Sequence, residues 1–279
     1  MPLPVPALDH VVINVRDGLD AAADLYERLG FTLTPRGHHT LGSSNNLAVL
    51  GTDYLELLGV QPGAASRADV LDWPAGLNGL VFKTFDSDAT YAALQSAGLP
   101  VLPPQAFSRP VETPGGAAGD AAFRTVRLER EAVPAGRLFF CHHLTPQLVW
   151  QDAWRRHANG ALGVQRAVIA AEDPAEPAAL LVRLFGADAV RRHAAGFTLL
   201  AGLSRIDIVT PAALAAEFGA AAPEAAGRGQ FMAALTLRTA SLDRAAAAAQ
   251  AGGIAAVREP GRLVVPAGTL GGMTLVFEE

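Results

Sequence analysis

Cysteine and lysine are almost missing from these 279 residues: Cys141 is the one cysteine and Lys83 the one lysine. A single cysteine excludes an internal disulfide. The net charge is −5 and the pI is near 5.8. Such a balance argues against a nucleic-acid partner, whose phosphates call for clustered Lys and Arg. No apolar run approaches the roughly 20 residues that a membrane span needs. The start, MPLPVPALDH, lacks the basic and long apolar regions of a signal peptide. A soluble cytoplasmic protein without nucleic-acid or membrane partners is therefore expected. The remaining cations are all arginine and alanine is heavily used, a bias we read as that of a GC-rich bacterial genome.

What is present is apolar bulk and a repeat. Half of the residues are hydrophobic, enough for a sizeable core, and the length suits two domains. Asp9–Val15 is a β-branched run of the kind that favours strands. From Leu19 to Leu29 the apolar residues Ala22, Leu25, Tyr26 and Leu29 fall at helical spacing, with Asp17 placed to cap the start and Gly30 to end it. Strand candidates follow at Thr32–Thr34, Asn46–Leu50 and Tyr54–Leu58, giving βαβββ. Three further helix candidates end at Gly98, Gly186 and Gly252, each preceded by a strand-like run (GLVFKTF, RAVIAA, AALTLR). Four copies of βαβββ fit the length. They are expected at residues 1–76 and 77–150, forming a first domain over 1–150, and at 161–211 and 230–279, forming a second over 161–279. Gln61–Asn78 reads as the linker between the first two copies, and Ala212–Gly229 as an Ala-rich connection.

Several residues stand out within this frame. The polar stretch Arg36–Asn46 is either a solvated turn or a source of ligand hydrogen bonds, Asn46 among them; His38 and His39 are expected to be exposed. The Pro- and Gly-rich stretch Pro100–Gly119 carries Phe107, Ser108 and Arg109. The run Ala122–Leu128 alternates, placing Phe123, Thr125 and Arg127 on one face and Arg124 among apolar residues on the other. An arginine there has either a structural carboxylate or an anionic ligand as partner. Trp150 and Trp154, near helical spacing, are read as packing residues.

DHVVINVRD, YERLGFTLTPRG, LGSSNN and DYLELL, with FSRPVE, FRTVRL and FFCHHLTPQLVW later, resemble the glyoxalase-like branch of the vicinal oxygen chelate superfamily. That superfamily includes glyoxalase I, the extradiol dioxygenases and the bleomycin-resistance proteins. The resemblance covers about the first 150 residues. It implies an α+β fold in which four βαβββ modules form two half-barrel domains of curved mixed sheet. It also implies a divalent metal (Zn, Ni, Mn or Fe) held by a first-strand His and a fourth-strand Glu, here His10 and Glu56. Glyoxalase I takes one ligand from each of those strands in two copies. Here the second copy offers Gly79 and the run Cys141, His142, His143. Adjacent residues face opposite ways, so one histidine alone can join; His143 is preferred as the third ligand, with Cys141 sharing its face as a soft ligand or a core residue. In copies three and four the His10 position falls on Arg166 and near Met232, and the Glu56 position on Asp207; Arg166 and Met232 are poor metal donors, which makes the second half a supporting domain.

Two functions follow. One is a metal-dependent lyase, isomerase or dioxygenase acting on a small substrate with vicinal oxygens, Glu56 or a histidine shuttling the proton. Asn46, Ser108, Arg109, Arg124 and His142 would contact the substrate, the arginines through its carboxylate. The other is a metal-free protein that sequesters a small molecule, as the bleomycin-resistance relatives do. The chain is expected to be a monomer or a homodimer.

Overall fold

The computed structural model describes residues 3–4, 7–60 and 67–279, so part of the expected linker Gln61–Asn78 lies outside the described residues. The first repeat comprises β1 (Leu8–Arg16), α1 (Leu19–Arg28), β2 (Gly37–His38), β3 (Ser43–Val49) and β4 (Tyr54–Val60). After a short α2 (Ala68–Leu71) the second comprises β5 (Gly76–Lys83), α3 (Ser87–Ser96), β6 (Gln105–Glu112), β7 (Ala118–Arg127) and β8 (Arg137–His143). The third comprises β9 (Ala161–Ala171), α4 (Ala175–Phe185), β10 (Val190–His193), β11 (Gly196–Ala201) and β12 (Ser204–Val209). Beyond α5 (Pro211–Phe218), the fourth comprises β13 (Gln230–Thr239), α6 (Leu242–Ala251), β14 (Val257–Glu259), β15 (Arg262–Val265) and β16 (Thr274–Glu278).

Each pair of repeats builds one eight-stranded mixed sheet, ordered β2-β3-β4-β1-β5-β8-β7-β6 and β10-β11-β12-β9-β13-β16-β15-β14. The fold is α+β with two half-barrel domains. In the first sheet the ends nearly meet: the Thr40 N–H beyond β2 donates to the Ser108 carbonyl of β6 at 3.0 Å. The outer faces of both sheets and the helices share one apolar core, which runs from Leu8 and Val11 through Phe82, Phe140 and Phe185 to Leu275 and Phe277. Ring contacts such as Phe82–Phe185 at 5.2 Å and Phe31–Phe277 at 6.1 Å cross between the halves.

Local sequence explains most elements. Asp86 caps α3 by accepting from the backbone N–H of Asp88 and Ala89, and Ser241 caps α6. The helix α1 starts without a side-chain cap, so Asp17 does not play the expected role. Gly30, at φ +84°, turns the chain out of α1. Thr32–Thr34 is not a strand; the short β2 forms later, at Gly37–His38. The Pro- and Gly-rich stretch expected as an insertion pairs as β6 along β7, Arg109 opposite Ala121.

The central strands carry a shared irregularity. Along β1 and β5 the pairing steps from Leu8↔Phe82 to His10↔Val81, and from Val12↔Gly79 to Ile13↔Leu77, leaving Asp9 and Asn78 as bulged residues. In β9 and β13 the corresponding bulged residues are Gln165 and Ala233, and a further one falls at Leu162. A bulge re-aims the side chains around it, and it numbers the repeats: His10, Gly79, Arg166 and Ala234 are equivalent. The fourth position is thus Ala234 rather than the neighbourhood of Met232.

Candidate functional site

The inner face of the first sheet lines a partly open cavity of about 70 Å³, several times what one water requires. His10 projects into it from β1 and Glu56 from β4. The strands are parallel, with His10 opposite Tyr54 and Val12 opposite Glu56, so residues two apart present the same face. His10 Nε2 stands 3.7 Å from Glu56 Oε2. The imidazole is stacked on the Tyr54 ring at 4.3 Å. At its other nitrogen, Nδ1–H donates to the Asp9 carboxylate at 2.7 Å, and His143 Nε2–H donates to the same Asp9 oxygen at 2.9 Å. Burial works against charge on Asp9, but these bonds and the two imidazoles hold its carboxyl well below the usual range. Asp9 is therefore the acceptor in both bonds, and His10 turns its Nε2 towards the cavity and Glu56.

Glu56 is held from its other side by Asn45, whose amide donates to Oε1 at 2.7 Å. Burial raises the Glu56 pKa, but His10, His39 and this bond outweigh it and leave the net shift downward. His39, at 8 % exposure, is buried rather than exposed and lines the cavity. Its Nδ1–H donates to Ser43 Oγ at 2.9 Å and its Nε2 accepts from Asn45 at 3.2 Å. Burial, reinforced by nearby Arg109 and Arg67, pulls its pKa down to about 4, so it is a neutral hydrogen-bonding group at neutral pH. Cys141 lines the cavity as a free thiol whose pKa burial pushes up. Arg67, Arg109, Arg127 and Arg137 line it as well.

The other expected ligand contacts are distributed differently. Asn46 lies on the opposite face of β3 from the cavity-lining Ser43, Asn45 and Leu47; its amide donates to the Thr34 carbonyl at 2.9 Å. Ser108 alternates with Phe107 and Arg109, which face inward, and meets Thr40 through its backbone. Arg124 and His142 are paired across β7 and β8, on the side away from Phe123, Thr125 and Cys141. Arg124 there grips Asp88 of α3 with two hydrogen bonds, of 2.5 and 2.7 Å. Its partner is a structural carboxylate, which corrects the expected substrate contact. His143 shares the inner face with Cys141 but is turned onto Asp9, its ring beside Tyr54, Phe123 and Trp150. Trp150 packs there, with Lys83 Nζ 4.6 Å from its ring centre.

Sequence reading missed three members: Asp9, His39 and Asn45. The Asp-His dipeptide was a usable signal for Asp9, because a carboxylate beside an imidazole commonly fixes its tautomer.

The glyoxalase-like domain family matches residues 8–185, well over half of the chain. The chain belongs to that family. No curated protein sequence matches significantly. Among solved structures, this glyoxalase-like protein is similar to a hypothetical protein from Staphylococcus aureus, at TM-score 0.68 and 13% identity over 98% of both chains. It is also similar to a mutant of 4-hydroxymandelate synthase from Streptomyces coelicolor, at TM-score 0.64 and 12% identity over 99% of this chain and 92% of that one. A third similarity is to a xylose isomerase-like TIM barrel/4-hydroxyphenylpyruvate dioxygenase fusion protein. Its TM-score is 0.58 at 13% identity, covering all of this chain and 50% of that one. At these identities the likeness is one of fold.

The divalent metal implied by the resemblance can be tested against the donors. His10 and Glu56 supply two. The positions equivalent to them in the second repeat are Gly79, beyond the Asn78 bulge, and Phe139, two residues past the partner of Gly79. Neither can ligate. Asp9, Cys141 and His143 form a separate possible metal-ligand group, with donor atoms within 4.8 Å of one another, but the Asp9 oxygen in it already accepts from both histidines. The four-ligand set of glyoxalase I does not fit these residues.

Proposed function

We propose that this glyoxalase-like protein binds a small molecule inside the first barrel and moves a proton on it without a resident metal. The His10–Glu56 pair handles the proton. The observation that carries this reading is the approach of His10 Nε2 to Glu56 Oε2, 3.7 Å apart, on one partly open cavity. Asp9 fixes the imidazole so that Nε2 faces the ligand. A proton taken by Nε2 leaves an imidazolium between two carboxylates, Asp9 and Glu56, an arrangement that stabilises it. Suitable ligands carry an acidic C–H next to a carbonyl, and Asn45 holds the Glu56 carboxylate in place through the transfer.

The test is hydrogen exchange in D2O, followed by proton NMR across a panel of small carbonyl compounds, with elemental analysis of the same protein. Exchange by the wild type that falls at least about 100-fold in His10→Ala and in Glu56→Gln is expected, with metal well below one atom per chain. Stoichiometric Zn, Ni, Mn or Fe that disappears in His10→Ala overturns the metal-free reading. A protein that merely holds its ligand is the second reading, favoured by the apolar Gly79 and Phe139 at the equivalent positions. Binding without exchange, retained in both variants, identifies it.

A further inference from the structure

Arg109 is the largest fully buried side chain of the described residues, at 1 % exposure. Its Nε and Nη2 are buried without a hydrogen-bond partner, and no carboxylate among the described residues reaches ion-pair distance. Glu56 and Tyr54 are near enough to act on it electrostatically. These two nitrogens form one edge of the guanidinium fork, the edge that receives both oxygens of a carboxylate. A buried cation whose donors are unmade is costly, and this one lines the cavity.

The surroundings hold it there. A Cβ at Gly37 would come within 2.4 Å of Arg109 Cδ and 2.7 Å of Nη1, so the bare backbone of β2 lets the side chain lie flat. Asn45 Oδ1 is 2.7 Å from the same point and is likewise buried without a partner. Both amide hydrogens of Asn45 are engaged, by Glu56 and by His39, so Oδ1 remains an acceptor.

We infer that the ligand is a small organic acid whose carboxylate binds the Nε–Nη2 edge of Arg109 and which carries a hydroxyl or amino hydrogen for Asn45 Oδ1. The inference rests on the proposed use of this cavity and adds the ligand's charge. The carboxylate neutralises Arg109 and anchors one end of the molecule. The other end is left to His10 and Glu56.

Calorimetric titration of the full chain with matched acids and amides tests it: acetate against acetamide, glycolate against glycolamide, benzoate against benzamide. Acids are expected to bind at least ten-fold more tightly than their amides, with glycolate ahead of acetate. Arg109→Gln removes the preference, and Arg109→Lys, which keeps the charge and loses the fork, restores part of it. Equal binding of acids and amides by the wild type, or no binding of either series, overturns the inference whether or not the variants fold. So does acid binding unchanged in a folded Arg109→Gln. Acid binding accompanied by stoichiometric metal leaves this inference standing and sinks the metal-free reading.

Discussion

The two sheets have the same strand order and opposite interiors. In the first, the inner face lines a partly open cavity holding His10 and Glu56. In the second, α5 lies over the inner face, its Leu214 and Phe218 packed with Val168, Ala170, Val209 and Phe231. Thr210 caps that helix and Pro211 opens it. The register is conserved across the pair: His10 faces Tyr54 as Arg166 faces Arg205, and Glu56 and Asp207 each lie two residues further on. Where the first barrel keeps an imidazole and a carboxylate open to a ligand, the second closes an ion pair. Arg166 Nε donates to Asp207 at 2.6 Å, and both Nη groups bond Glu217 of α5. One scaffold thus supports either a site or a plug, depending on whether the helix after its fourth strand, the short α2 or the longer α5, reaches over the inner face with a counter-charge.

That contrast can be broken first at Arg166. Arg166→Ala removes the central cation of a network in which Asp207 keeps Arg205 and Thr198 and Glu217 keeps Arg262, and is expected to cost about 2 to 3 kcal/mol, read from urea unfolding. His10→Ala, at the equivalent position of the open barrel, is expected to cost about 1 kcal/mol. Similar losses at the two positions would show that the open barrel is also held together by its polar pair.

The seam between the halves offers the next test. Asp53 Oδ1 accepts from the Val164 N–H at 2.9 Å, and burial, partly offset by this bond and by Lys83 and Arg238, raises its pKa to about 6 from 3.8. A carboxyl raised on folding favours the native state below its unfolded pKa, and that contribution is lost as pH rises through the folded value. The Asp53 share of the unfolding free energy is expected to fall between pH 4 and pH 6, against the rise that the depressed His39 contributes over the same window, and Asp53→Asn is expected to make the net slope with pH more positive. An unchanged slope in the variant would put the titration elsewhere.

The smallest effect is expected at Tyr26, whose hydroxyl is buried in the shared core without a partner. Tyr26→Phe removes an unsatisfied polar group and should be neutral or stabilising by up to about 1 kcal/mol, measured as a shift in Tm. A clear loss would mean the hydroxyl is bonded.

The fold was legible because periodicity and closing glycines report local structure, and four repeats spell the same message. His10 and Glu56 could be paired because strand parity is simple arithmetic. Parity also explains the failures. Asp9 sits one residue from His10 and should face away, but the bulge turns its carboxylate onto the imidazole, and a bulge leaves no period in the chain. Asn45 and Asn46 differ only in phase, which the sequence leaves open until Ser43 is known to begin a strand. His39 looked exposed because its neighbours are polar; its burial comes from Phe107 and Arg109 of β6, some seventy residues away. Arg124 looked like a ligand contact because the carboxylate that takes it, Asp88, belongs to a helix on the outer face.

The common core behind the two sheets ties their fates together. A chain cut after residue 150 would keep every proposed ligand contact yet bare the greasy back against which Phe185, Leu275 and Phe277 now rest. The plugged barrel therefore persists as the wall its sibling leans on.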